Sequence, residues 1–213
     1  SLDMELDDFS CVSIGYSLAS PRLHVACNDQ HASTLLCLRH LIEAGHHRIG
    51  MVTASDTIRR TVHHFEAPFL VFQNALPPKQ RVPLFLVEGA EEPGDLAQWS
   101  KHFAKWYATE RPTAIIATFT GVVPWIEQLG LKVGKDISLA TLSRTQQPRW
   151  AGIDQQERMI GARAVELLIS IFQAGERGVP ETPIRLLVEG KWVPGETVCS
   201  VGEPAPELLA ALE

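Results

Sequence analysis

The chain has 213 residues, 45% of them hydrophobic and 21% charged, which is enough to bury a core as one domain or as two small ones. Its net charge of −6 excludes a broad basic face that could grip a polyanion, so any DNA contact has to come from elsewhere. No apolar run reaches membrane-spanning length, and the acidic start SLDMELDDF is no signal peptide, so a cytoplasmic location is expected.

The first 22 residues hold one weak strand, Cys11 to Gly15, and a connection containing Ser20 and Pro21. A short apolar strand, Leu23 to Cys27, follows. Ala32, Leu35, Leu36, Leu38, Leu41 and Ile42 then fall at helical spacing, and Ile49 to Thr53 is a second strand. Asn28 or Asp29 can cap the helix by accepting its orphan N–H groups, and Gly45 stands where a left-handed residue would end it, so a positive φ is expected there. The order strand, helix, strand implies a parallel sheet with its working edge at the strand C-termini, where helix N-termini and short loops converge.

Ala54 to Thr61 reads as a polar loop, and Val62 to Leu76 mostly as helix, with Val62, Phe65, Phe69 and Phe72 on one side. Pro68 removes a backbone donor, so a helix start or a kink is expected near it. Pro77 and Pro78 end the segment, and Val82 to Val87 is the next strand. After a loop from Glu88 to Gly94, Asp95 is the expected cap of a helix carrying Leu96, Trp99, Phe103, Trp106 and Tyr107. Trp99, Phe103 and Trp106 read as core against the sheet rather than as a ligand cage. Thr113 to Thr118 is a buried strand, Val122 to Leu129 a short helix, and Ile137 to Leu142 another strand. Ser143 to Arg149 is a polar loop, and Trp150 to Ile153 leads into a long helix, Glu157 to Ala174, with Ile160, Ala164, Leu167, Leu168 and Ile171 inward. Strand material at Ile184 to Val188 and Lys191 to Val193 and an acidic tail helix, Ala205 to Leu212, complete a doubly wound α/β pattern.

Cys11, Cys27, Cys37 and Cys199 show no C-x-x-C pairing, and two lie on apolar elements, so they read as buried free thiols rather than disulfides or a metal site. His46-His47 and His63-His64 are adjacent pairs, which point about 100° apart on a helix, so no metal site is expected. No cofactor motif and no carboxylate couple stands out, and an enzyme is not expected.

Three blocks carry a resemblance. HLIEAGHHRIGMV ends the first helix, RPTAIIATFTGVVPWIEQLGLKVGKDISLATL spans Arg111 to Leu142, and Ile153 to Val188 contains an Ile-x-Gln turn, a helix opening on Ile160-Gly161 and a late strand. In this order they resemble the LacI/GalR family of bacterial transcription regulators. The resemblance implies two doubly wound, Rossmann-like parallel-sheet subdomains of periplasmic-binding-protein type I, the first incomplete in this chain. Three crossings are expected near Gly45, Pro148 and Gly178, giving 1–44 plus 149–178 as one subdomain and 45–148 plus 179–213 as the other. It also implies a homodimer that senses a small molecule in a cleft and meets DNA through a helix-turn-helix headpiece not visible here. Either that part is trimmed from a longer protein or the first subdomain is incomplete.

Effector-binding candidates are Asn28, Asp29, Arg59, Arg60, His64, Phe65, Thr120, Ser143 and Trp150. Arg59 and Arg60 read either as solvated loop residues or as a bidentate clamp. The family's effector-holding arginine falls at Phe65 or His64, its Asn-Asp pair at Phe119-Thr120, and its aspartate at Ser143. The effector expected is a sugar, a sugar derivative or an organic anion; with those partners replaced, the set suits an anionic or aromatic-stacking ligand better than a neutral pyranose, or else a degenerate pocket that no longer responds. A solute-binding protein of a transport system and a module whose cleft binds nothing are the alternative readings.

Overall fold

A computed structural model describes residues 4–88, 98–144 and 149–212 and divides the chain into two compact units. The first comprises residues 1–29 and 155–190, the second 30–154 and 191–213. The expected cap at Asp95 and the expected crossing at Pro148 lie outside the described residues.

In the first unit, β1 (Val12–Ile14), β2 (His24–Asn28) and β8 (Arg185–Val188) form a three-stranded parallel sheet in the order β1-β2-β8. Helix α6 (Glu157–Gln173) packs on it, with Ile160 and Ala164 meeting Ala26 and Val188. The second unit holds a six-stranded sheet in the order β4-β3-β5-β6-β7-β9. Its strands are β3 (Ile49–Ala54), β4 (Phe85–Val87), β5 (Ala114–Ala117), β6 (Ser138–Thr141), β7 (Ala151–Asp154) and β9 (Lys191–Val193). All neighbours are parallel except the edge pair β7–β9.

Helices cover both faces of the larger sheet, which is why β5 and β6 are buried along their whole length and β3 at every residue but Ala54, rather than alternately. On one face, α1 (Gln30–Glu43), α3 (Glu66–Ala75) and α7 (Pro206–Ala210) bring Leu38, Leu41, Phe69, Phe72 and Leu208 against Met51 and Ile116. On the other, α4 (Ser100–Glu110) and α5 (Val123–Gln128) bring Phe103, Trp125 and Ile126 against Ile115 and Leu139. Phe85 meets Phe103 edge-on at 5.6 Å, and Trp99 and Trp106 pack around it, so the aromatic residues of this segment are core as expected. Each such ring, fully buried, contributes roughly 1.5–3 kcal/mol.

Several expectations are corrected. Strands β2 and β3 lie in different sheets, so β2-α1-β3 is a crossing between units and not one β-α-β unit. The apolar stripe of α1 decides this, because Cys37, Leu38, Leu41 and Ile42 are buried against the larger sheet's side of the molecule. The crossings fall after Asp29, Asp154 and Gly190 rather than near Gly45, Pro148 and Gly178. Backbone pairing sets these points, since β7 extends the larger sheet from Thr141 while β8 pairs with β2. The polar stretch after Thr53 is helical, as α2 (Ser55–Arg60), and Val62 is exposed rather than inward. Pro68, by contrast, lies in the first turn of α3, so a helix starts near it as expected, and its missing N–H has no intrahelical acceptor to lose. All four cysteines are free, with Cys27 and Cys37 buried. Among the described residues no helix is long and apolar enough to cross a membrane.

Candidate functional site

The C-terminal ends of β3, β5 and β6 are neighbours in the larger sheet, so the segments leaving them converge at one edge. Hydroxyl groups line the start of these segments. Thr53 Oγ1 lies 3.0 Å from Thr118 Oγ1, and Thr141 Oγ1 accepts from the Ser143 N–H at 3.2 Å. Helix α2 leaves β3 directly, and α3 follows after the turn at 61–65. Helix α1 precedes β3 and runs antiparallel to it, so its N-terminus belongs to the same edge.

Five of the nine candidates gather here. Arg59 and Arg60 are the last residues of α2, Thr120 opens a short 3-10 turn after β5, Ser143 follows β6, and His64 lies in the α2–α3 turn. Neither arginine is a bare clamp. Asp56, one turn back, receives Arg59 Nη2 on Oδ1 and Arg60 Nε on Oδ2, each at 2.7 Å. The hydrogen bond from Arg59, joined by Arg60, holds the Asp56 carboxyl below its ordinary range. Arg59 remains 73% exposed. Asp56 was legible in principle, standing three and four residues before the arginines, but that spacing signals a pair only on a helix, and this stretch reads as loop.

Phe65 and Trp150 have packing roles. Phe65 is buried in the core between α1 and α3. Trp150 precedes β7 at the level of Leu139 and packs against the apolar cluster under α4 and α5. Its carbonyl accepts from Arg144 Nε at 2.9 Å. Asn28 and Asp29 belong to the smaller unit, where the Asn28 amide and the Asp29 N–H both donate to the Val188 carbonyl, at 3.1 and 2.7 Å. There they clamp the end of β2 to β8.

Sequence reasoning missed Gln30, Thr34 and Glu66. Thr34 Oγ1 in α1 lies 3.1 Å from the Gln30 carbonyl and 3.0 Å from the Phe65 carbonyl, tying the first turns of α1 and α3 together. Glu66 Oε1 accepts from His63 Nδ1 at 2.6 Å. Glu66 Oε2 and Gln30 Oε1 are buried without a hydrogen-bond partner. Among the described residues no group of three or more His, Cys, Asp or Glu could hold a metal ion.

Residues 38–198 match the model of the periplasmic binding protein-like domain. The HTH-type transcriptional repressor PurR of Haemophilus influenzae (strain PittEE) is 26% identical over 196 residues, covering 85% of this chain and 56% of the repressor. The chain thus spans about half the length of the curated relatives it matches. Among solved structures, a LacI transcriptional regulator from a Rhodococcus species superposes with TM-score 0.65 at 20% identity, covering 90% of this chain and 70% of that one. The LacI family regulator CCPA from Weissella paramesenteroides with bound glucose gives 0.62 at 18%, with the same coverage. With its doubly wound sheet, its three crossings between two units and a domain match over three quarters of its length, the chain belongs to the periplasmic binding protein-like domain family, in the fold that LacI-family regulators carry.

Proposed function

We propose that this chain is the effector-binding portion of a LacI-like transcriptional regulator and acts by sensing a small molecule. The observation that carries the reading is the continuous similarity to repressors over 85% of the chain. The converging edge supports it, since Thr53, Thr118, Thr120 and Ser143 offer hydroxyls, and Arg59, Arg60 and His64 offer donors at the periphery. Such a set of hydroxyls and donors suits binding through hydrogen bonds. A ligand with different affinities for two conformations of the protein shifts their populations, and a dimer converts that shift into altered spacing of two DNA-reading headpieces. The dimer and the headpieces belong to this reading as its partners, DNA being met only through the headpieces. Repressors, not transport proteins, are the curated relatives, which favours this reading over solute delivery to a transporter.

A thermal-shift screen of the chain against monosaccharides, amino sugars, sugar phosphates, nucleobases and organic acids tests the reading, with titration calorimetry on each hit. One class is expected to raise Tm saturably, and Thr118→Val together with Ser143→Ala is expected to weaken it about tenfold or more through lost hydrogen bonds. A panel with no saturable hit would overturn the reading.

A further inference from the structure

The first residues of α1 and α3 each carry an acceptor without a partner. Glu66 is 2% exposed and Gln30 is 8% exposed, yet Glu66 Oε2 and Gln30 Oε1 accept no hydrogen bond. The two helices are joined at this point by Thr34, whose hydroxyl touches the Gln30 and Phe65 carbonyls. Both side chains therefore belong to one junction, at the sheet edge where the candidate site lies. Both unpartnered buried side-chain atoms described at the junction are acceptors, and one belongs to a carboxylate.

The turn before α3 is strained. Val62 has φ +49° and His63 φ +66°, two successive left-handed residues without a glycine, and the first is β-branched. This conformation sets His63 Nδ1 against only one oxygen of Glu66. The imidazole is 71% exposed, so its rotation uncovers the carboxylate without disturbing the core. Strain of this kind is retained where the surroundings enforce it, typically at ligand sites.

We propose that the α1–α3 junction is the subsite for the ammonium group of the effector, received by Glu66 Oε2 and Gln30 Oε1. The inference rests on the effector-sensing reading and names the ligand class, a small amine such as an amino sugar. It reverses the sign expected from Arg59 and Arg60, whose charge is already shared with Asp56. An ammonium supplies donors to both orphan acceptors and a charge to the carboxylate, whereas a hydroxyl supplies a donor alone and an anion is repelled. A bare metal ion would find too few ligands at this junction.

Titration calorimetry of the chain with glucosamine, putrescine and potassium chloride, set against glucose and butanediol, tests this. Glucosamine or putrescine is expected to bind, its neutral counterpart about tenfold or more weaker. Glu66→Gln should abolish that preference while raising Tm in the absence of ligand, because it removes a buried charge with one unpartnered oxygen. Gln30→Leu, which keeps the carboxylate, should weaken amine binding too and serves if Glu66→Gln does not fold. Equal binding of glucosamine and glucose, insensitive to Glu66→Gln, would overturn the proposal and leave the sensing reading standing. So would an effect of potassium chloride alone, or a lowered Tm in Glu66→Gln with amine affinity unchanged. If no amine binds here, while the wider screen finds another ligand, the subsite falls alone; if that screen also finds none, both fall.

Discussion

Gly45 closes α1 with φ +87°, the left-handed turn expected from its place between a helix and a strand. A side chain would be wrong there twice over. An L-residue pays for the left-handed region, and a Cβ at this position would stand 2.6 Å from the backbone of Gly202. Gly45→Ala is therefore expected to destabilise the protein by more than about 1 kcal/mol in urea titration, and a wild-type midpoint in the variant would contradict the account. The conformational half of this cost is written in the local sequence. The contact with Gly202 is not, because 157 positions separate the two residues. Arg59 and Arg60 show the same limit in the other direction: their type and place are legible, but whether Asp56 pairs with them depends on its standing on a helix.

At the scale of elements, pattern succeeds where a segment is long and buried on one side and fails where it is short. Helices α1 and α6 and strands β3, β5 and β6 follow their apolar spacing, whereas α2 spans six residues without a buried position, and β7 is four residues whose pairing with β6 no local signal specifies. The turn between α1 and β3 is held by tertiary contacts centred on His46. Its Nε2–H donates to the Cys199 carbonyl at 3.1 Å, and Nδ1 lies 3.1 Å from Thr113 Oγ1 at the start of β5. Burial pushes the His46 pKa below its usual 6.5, because a charged imidazole is poorly solvated there. On acidification the unfolded chain takes up this proton first, so stability is intact above about pH 6.5 and falls below it, by at most ~1.4 kcal/mol per pH unit. His40, shifted down by burial beside Trp192, acts in the same direction. Denaturation midpoints measured from about pH 7.5 to 5.5 should drop in the wild type and drop less steeply in His46→Gln; parallel slopes would rule His46 out as the source.

For the molecule as a whole, charge sets an expectation about DNA. With 25 acidic against 19 basic side chains the chain lacks the phosphate-neutralising surface that specific complexes require, so a gel shift with this polypeptide should give no sequence-dependent complex. A nanomolar, operator-specific shift would show that recognition resides in this portion after all. The sequence by itself determined the α/β class, the family and the apolar faces of the long elements, because these follow from local periodicity and from motifs contiguous in the chain. Tertiary structure alone decided which sheet each strand joins, where the chain passes from one unit to the other, and that Phe65 and Trp150 are packing residues. It also decided that Gln30 and Glu66, 36 positions apart, stand at one junction with unpartnered oxygens. The physical reason is the same in each case: strand pairing and burial are set by contacts between distant segments, and residue spacing encodes only the face a side chain presents, not what it meets.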